Sequence, residues 1–528
     1  MLVLAVFFVV PVTGMVSQGF VVDGHVDLSG VWEVLGRTRT RSVVWFTVWT
    51  SVAGTLGSLL LGLPAAYALH RTAVPGRRLI RSALLVPFVL PTVVVGAAFR
   101  ELLGEGGPLA GLGLDQTPAA IVAGLVFFNV AVVIRVVGAA WESLDDRPAQ
   151  AAATLGAAPL TVLRTITLPA LRPAIVSAAS VVFLFCATAY GIVLILGGVA
   201  HSNVETEIYL LTTQVYDLPA AAALSVLQLL VVVVLLAGAG RLRTAVPTAR
   251  RRTTVRRPTR RDLPAVVATV VLLLLVAAPL AALVAGSLHG PDGWGLDNYR
   301  ALTTAGSADD VAVPVTQALV NSLQTAVDAT WMSLLTGLLV ALVVTRRART
   351  PGERRLLGGL DALFMLPLGV SAVTLGFGFL ITLDHPPIDL RESRLLVPIA
   401  QALVALPLVV RTLQPVLSGI DDRQRQAAAT LGAGPLRVLR TVDLPVLWRP
   451  LLAAAGFAFA TSLGEFGATS FLARPDHPTV PVVIARLLGH PGAMNFGMAL
   501  AAAVILAATT AGVMIVVDLM RVPSIGAI

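Results

Sequence analysis

The sequence predicts an all-α polytopic membrane protein assembled from two homologous six-helix halves. Three observations predict it. The 528-residue chain is 56% hydrophobic and only 13% charged, with a mean hydropathy of +0.86, whereas a soluble domain carries about 25% charged residues. Its apolar residues gather into runs of the roughly 20 residues that a helix needs to cross the hydrocarbon core. One stretch also occurs twice: residues 145–171 read DDRPAQAAATLGAAPLTVLRTITLPAL and residues 421–447 read DDRQRQAAATLGAGPLRVLRTVDLPVL, identical at 20 of 27 positions without a gap. The offset of 276 residues is about half the chain, the signature of an internal duplication.

In chain order, spans are expected near 1–18, 44–69, 82–100, 118–140, 173–198 and 218–239, then near 263–286, 318–344, 360–382, 393–415, 450–472 and 495–519. Shifting the second to sixth of these by 276 lands within a few residues of their partners. The first span holds Pro11 and lacks the basic leader of a signal peptide, since Met1 runs straight into LVLAVFFVV; it reads as a retained helix. The units expected are 1–240 and 263–528, joined by the basic linker 241–262. With two prolines and many like charges, the stretch GRLRTAVPTARRRTTVRRPTRRD repels itself and buries nothing, so it reads as a flexible joint that also meets anionic lipid.

The net charge of +9 comes from arginine alone; the chain has no lysine. These arginines lie in short segments between apolar runs rather than in one patch, which argues for membrane topology and against nucleic acid. Arg71, Arg77, Arg78 and Arg81 follow the second span, Arg346, Arg347, Arg349, Arg354 and Arg355 follow its counterpart, and the linker carries many more. Twelve spans place these segments and both repeat copies on one face, expected to be cytoplasmic, with both termini there and the chain in the cell's inner membrane. Glu101, Glu105, Asp115, Glu205, Glu207, Asp217, Asp384 and Asp389 fall opposite. Arg37, Arg39 and Arg41 fall on that outer side too, against the rule. A single cysteine, Cys186, excludes an intrachain disulfide framework.

The repeated stretch reads as helix, bend, helix at the membrane surface. Ala151 to Ala153 and Ala427 to Ala429 favour helix. Gly156 and Gly432 end it or permit close backbone approach. Pro159 and Pro435 suit the first turn of a second helix, and Pro169 and Pro445 are expected to close the segment before the next span. Arg164 and Arg440 offer directional contacts to acidic groups. A membrane domain driven by a separate motor needs a shaped contact of this kind.

These residues resemble a known family. Gln150-Ala151-Ala152 through Gly156 to Leu168-Pro169, and Gln426-Ala427-Ala428 through Gly432 to Leu444-Pro445, are similar to the EAA loop of binding-protein-dependent ABC importer permeases, with Gln150 and Gln426 replacing the usual Glu. The resemblance covers nearly the whole chain as two fused permease units, and implies the type I ABC importer permease fold. Each loop would then form a coupling helix on one ATP-binding subunit, so that one chain bridges two of them. A separate extracytoplasmic solute-binding protein would deliver the cargo. Replacing Glu by Gln keeps length and hydrogen bonding but makes the first contact less ionic.

The chain itself is not expected to be an enzyme or to hold a cofactor. It has no G-x-x-x-x-G-K-[ST] phosphate loop, and its histidines show no metal-ligand spacing. Asp145-Asp146 and Asp421-Asp422 lie beside the repeated loops without a metal-ligand cluster. Polar groups within spans mark candidate pathways. Glu465 interrupts an apolar run between Gly464 and Gly467, and Tyr190-Gly191 matches Phe466-Gly467 at the same offset, so Tyr190, Glu465 and Phe466 are the candidate translocation path. Arg135 and Arg411, near the ends of the fourth spans, read as side chains snorkelling to the surface.

The fused arrangement, the stretch Asn203 to Tyr209 and the stretch Ser462 to Ala468 resemble the permeases of iron(III) and thiamine importers. That implies thiamine or ferric iron as cargo, with thiamine preferred on the first-half stretch. Another small cation or an inorganic anion is an alternative. Two other classes stay open: a secondary transporter with duplicated halves, driven by an ion gradient, and a membrane scaffold that moves nothing.

Overall fold

The computed structural model describes residues 5–22, 25–26, 29–198, 200–242, 256–290, 293–304, 312–346, 350–385, 388–390 and 393–520. Most of the basic linker lies outside these residues, as do Arg347, Arg349 and both chain ends. The expected flexibility of the linker and the expected side of the termini therefore fall beyond the description.

The described chain is helical apart from three antiparallel pairs of two-residue strands. Its first half contains α1 (Val10–Phe20), α2 (Thr38–Arg71), α3 (Arg77–Val89), α4 (Thr92–Leu103), α5 (Pro118–Glu142), α6 (Arg147–Thr154), α7 (Pro159–Val162), α8 (Leu168–Ala187), α9 (Gly191–Gly197), α10 (Val204–Leu210) and α11 (Leu218–Leu242). After the linker come α12 (Leu263–Ser287), α13 (Val315–Val344), α14 (Pro351–Gly369), α15 (Ala372–Thr382), α16 (Leu396–Gly419), α17 (Asp422–Thr430), α18 (Pro435–Val438), α19 (Leu444–Leu463), α20 (Thr469–Leu472), α21 (Val480–Gly489) and α22 (Ala493–Met520).

Among the described residues, nine helices are long and apolar enough to cross a membrane, and a tenth is a pair bent by 103°. Twelve straight spans were expected, and the differences have local causes. The span expected at 82–100 is α3 and α4, broken where Leu90 (ψ 139°) and Pro91 (ψ 139°) are both extended; proline excludes the helical conformation from its predecessor. The span expected at 360–382 breaks at Ser371 (ψ 146°), whose Oγ accepts the Val373 N–H at 3.0 Å and starts α15. The spans expected at 173–198 and 450–472 each end early, at Ala187 and Leu463, before a separate short helix. The first apolar helix, Val6–Gly19, is shorter than a full crossing.

Two sets of three helices pack alike. α2 lies on α5 and α8, and α13 lies on α16 and α19. Close approach at these crossings requires small residues, as in membrane helix pairs generally: a Cβ on Gly62 of α2 would stand 2.8 Å from Val133, and one on Gly337 of α13 would stand 2.5 Å from Val409 Cγ1. Three buried hydroxyls of α2 are satisfied within the helix, Thr47 giving its proton to Val43 O, Ser51 to Thr47 O and Thr55 to Ser51 O, as apolar surroundings favour, whereas the buried Ser58 hydroxyl has no partner among the described residues. α1 packs against α15, and α12 against α4.

Candidate functional site

The two repeated segments fold alike. Each begins with a short helix, α6 or α17, that ends in a left-handed glycine, Gly156 at φ +84° or Gly432 at φ +81°. The Gly156 N–H bonds to Ala153 O and the Ala157 N–H to Ala152 O, both at 3.0 Å; Gly432 to Ala429 O and Ala433 to Ala428 O repeat this at the same lengths. This pair of bonds satisfies carbonyls that the helix end would orphan. A Cβ on either glycine meets nothing within 4 Å, so of the two roles open in the sequence, helix termination is the one adopted. Pro159 and Pro435 then start α7 and α18.

The Leu-Pro pairs do not close the segment, contrary to expectation. α7 runs through a wide turn, Leu163–Thr167, directly into α8, and α18 runs through Leu439–Asp443 into α19, giving single apolar helices Pro159–Ala187 and Pro435–Leu463. Pro169 and Pro445 have no N–H to offer the preceding turn, and a wide turn absorbs that loss without ending the helix.

Gln150, Ala151, Gly156, Pro159, Arg164 and Pro169 are exposed, and so are Gln426, Ala427, Gly432, Pro435, Arg440 and Pro445; Ala152 and Ala428 are half-buried. Neither Arg164 nor Arg440 forms an ion pair among the described residues. The sequence reading missed the apolar tip of each segment: Leu155 and Leu431, just before the glycines, are 88% and 87% exposed. No local signal marked them: each leucine is the C-cap before the left-handed glycine, whereas the apolar contact usual at such a helix end is made by the residue after the glycine.

The first segment is fastened to its bundle by Arg71, which reaches Asp146. Around it, His70 Nδ1 lies 2.9 Å from Glu142 Oε1 and Arg81 Nη2 donates to the same oxygen at 2.9 Å. The described end of the linker attaches here as well. Arg256 O accepts the Ala73 N–H, and Arg256 donates to both oxygens of Asp262, which also accept from Tyr67 and Thr259. Desolvation would raise the Asp262 carboxyl, but these donors outweigh it and hold it well below the usual carboxylate range.

A second site lies where the two halves meet. Tyr190 stacks on Phe466, with ring centroids 5.1 Å apart and planes 26° from parallel. Tyr209 packs against Tyr190 at 5.5 Å and against Phe471 at 5.4 Å. The structure thus brings two of the three expected path residues into contact. The third, Glu465, turns its carboxylate onto its own loop, accepting from the Ala468 and Thr469 N–H groups at 2.7 and 3.0 Å and from the Thr469 hydroxyl.

Glu205 and Glu207 were expected in an outer loop, but both are buried, at 0% and 4% exposure, on the short helix α10. The Asn203 side chain caps that helix through the Thr206 N–H at 2.9 Å, and the Val204 N–H donates to Thr47 Oγ1 of α2 at 3.0 Å. In the second half the Val480 N–H donates to Ser322 Oγ at 2.8 Å. The same burial accounts for the arginines on the wrong side. Arg39 grips Glu207 at 2.6 and 2.8 Å, and Arg37 bonds Asp217 at 2.8 Å. Burial alone would raise the Asp217 carboxyl; the bond and charge of Arg37 and the Ala220 N–H bring it below its ordinary value.

Among the described residues no group of three or more His, Cys, Asp or Glu side chains is placed to hold a metal. The family model for the binding-protein-dependent transport system inner membrane component matches residues 58–285 and 333–521, well over half of the chain. The chain is 28% identical over 463 residues to the thiamine transport system permease protein ThiP of Brucella suis, covering 85% of this chain and 82% of that one. It is 28% identical over 481 residues to the ThiP of Escherichia coli, covering 88% and 86%. A shorter likeness, 39% over 143 residues, covers 26% of the chain and 51% of the sulfate transport system permease protein CysT of Salmonella typhimurium. The chain therefore belongs to the inner membrane components of binding-protein-dependent transport systems, and is the multi-pass permease of an ABC-type importer for a small solute.

Proposed function

We propose that the chain is two fused permease units, 1–240 and 263–528, through which thiamine enters the cytoplasm, driven by two ATP-binding subunits docked on residues 145–171 and 421–447. One observation carries the docking: two exposed segments at an offset of 276 share the same glycine-terminated helix, the same exposed arginine and the same uncovered leucine. An apolar tip at nearly full exposure loses free energy in water and regains it in a partner's groove. The C-terminal end of α2, with Arg71, and the described end of the linker lie with the first segment, which supports a cytoplasmic face there. For thiamine, the support is likeness over most of the chain to permeases named for thiamine transport. CysT is similar over a shorter stretch, so part of the likeness belongs to the architecture and not to the cargo.

The test is co-purification with the ATP-binding subunits, then uptake by proteoliposomes given the binding protein and either thiamine or ferric iron. ATP-dependent thiamine uptake is expected, and Leu155→Asp with Leu431→Asp should abolish co-purification while leaving the permease inserted. Uptake driven by an ion gradient without ATP would establish the secondary-transporter reading instead.

A further inference from the structure

We infer that Glu205 is the group an organic cation engages as it passes between the halves, with the rings of Tyr190, Tyr209 and Phe466 beside it. This rests on the permease reading above and adds the residues that receive the cargo.

The observation behind it is a contrast between two neighbours on α10. Glu207 has the counter-charge that a buried carboxylate needs, from Arg39. Glu205 is more deeply buried, yet among the described residues its partners are neutral: Gln228 Nε2 donates to one oxygen at 2.9 Å and Ser371 Oγ to the other at 2.6 Å. A buried acid without a cationic partner is costly, and in a membrane protein such a group marks a pathway. The Ser371 bond also spans the halves, joining α10 to the start of α15. Movement of one half against the other breaks that bond and frees the carboxylate on the path.

The surroundings suit an organic cation. Glu205 and Tyr209 are four residues apart on one helix and so share a face. Tyr209 continues through Tyr190 to Phe466, a run of rings that includes the contact between halves. Ring faces attract a diffuse cation, and a carboxylate adds the counter-charge. The Tyr190 hydroxyl, within electrostatic range of Glu205 and Glu465, is buried with the Ser470 hydroxyl beside it, and among the described residues it makes no hydrogen bond of ordinary geometry. Its neighbour Ser470 gives its own proton to Gly467 O. That leaves a polar group for a passing ligand to satisfy. The second half offers no matching acid, since Pro481 stands at the position equivalent to Glu205.

The test uses the assembled transporter in proteoliposomes, with thiamine uptake and ATP hydrolysis both measured. Glu205→Gln is expected to lower thiamine moved per ATP by about tenfold, the loss of one charge-assisted contact, while hydrolysis stays within about twofold. Tyr209→Leu should lower the same ratio, and serves if the Gln variant fails to assemble. Ser371→Ala, which removes the resting partner of Glu205 and the cap of α15 but no group offered to the cargo, should keep the ratio. An unchanged ratio in Glu205→Gln overturns the inference, as does an equal fall in uptake and hydrolysis, or a loss in Ser371→Ala that matches Glu205→Gln. Those outcomes leave thiamine uptake by the unaltered protein intact. Uptake of ferric iron and not thiamine by the unaltered protein overturns the cargo reading and this site together.

Discussion

Arg425 Nε donates to Asp443 Oδ1 at 2.9 Å, and neither residue exists in the first repeat, where Ala149 and Thr167 stand. Two of the seven differences between the copies are thus the two ends of one ion pair. Arg425 also donates to Asp422 at 3.0 Å and to Leu417 O, so it ties the start of α17 to the foot of α19. In the first copy Arg71 of α2 reaches Asp146 instead. The second segment therefore carries an internal brace that the first lacks. Because Asp443 is nearly buried, Arg425→Ala strands a carboxylate and should cost about 1–3 kcal/mol locally. Hydrogen exchange over residues 422–443 checks this. The reversed pair Arg425→Asp with Asp443→Arg should recover most of the protection, whereas recovery by neither variant would mean the ion pair holds nothing.

Gly156 and Gly432 meet open space but sit at φ +84° and +81°, so the cost of replacing them lies in the backbone and not in a clash. Ala at either position should destabilise its segment by about 1 kcal/mol, and Asn, which tolerates the left-handed region, by less. Exchange rates at the Ala157 and Ala433 amides, whose bonds depend on that turn, separate the two variants. Equal effects of Ala and Asn would show that conformation is not what selects glycine here.

The attachment of the linker to α2 predicts a pH dependence. Asp262 is held below its ordinary value, so the stabilisation is complete above the unfolded carboxyl near pH 4 and is lost as pH falls toward the folded value. Protection of the Ala73 amide, which bonds to Arg256 O, should be constant from pH 7 to about 5 and decline below about 4. Asp262→Asn should reproduce the low-pH behaviour at pH 7. A decline centred near neutrality would assign the effect to another group.

Composition and apolar run length made the membrane class legible, and identity at a fixed offset made the repeated segment legible, because both are properties of the chain read locally. The broken helices were not, since Leu90-Pro91 and Ser371 interrupt runs whose hydrophobicity is unbroken. Arg39 looked like a topological conflict for a related reason: its partner Glu207 is 168 residues away, and no local pattern announces such a pair. Glu205 looked like a loop carboxylate because Asn203, Glu205, Thr206 and Glu207 make a polar stretch that resembles a solvated turn. The cap from Asn203 to Thr206 was the visible sign of a helix instead. Glu465 interrupted an apolar run and so drew attention as a pathway group, yet its oxygens are occupied by the amides of its own turn.

The Arg39–Glu207 pair gives the last prediction. Arg39 is 60% exposed while the Glu207 side chain is 6% exposed, so the two ends of one bond face different surroundings and their removal is not equivalent. Arg39→Ala abandons a carboxylate in the interior and should cost about 3 kcal/mol. Glu207→Gln leaves an arginine that turns out to water, and should cost less. The double variant Arg39→Ala with Glu207→Gln should be more stable than Arg39→Ala alone, because the charge that made the single change costly is gone. Thermal unfolding of the four proteins in detergent measures this cycle. If Arg39→Ala and Glu207→Gln prove equally damaging and their effects simply add, the arginine is not there to neutralise the buried acid, and the positive charge ahead of α2 needs another explanation.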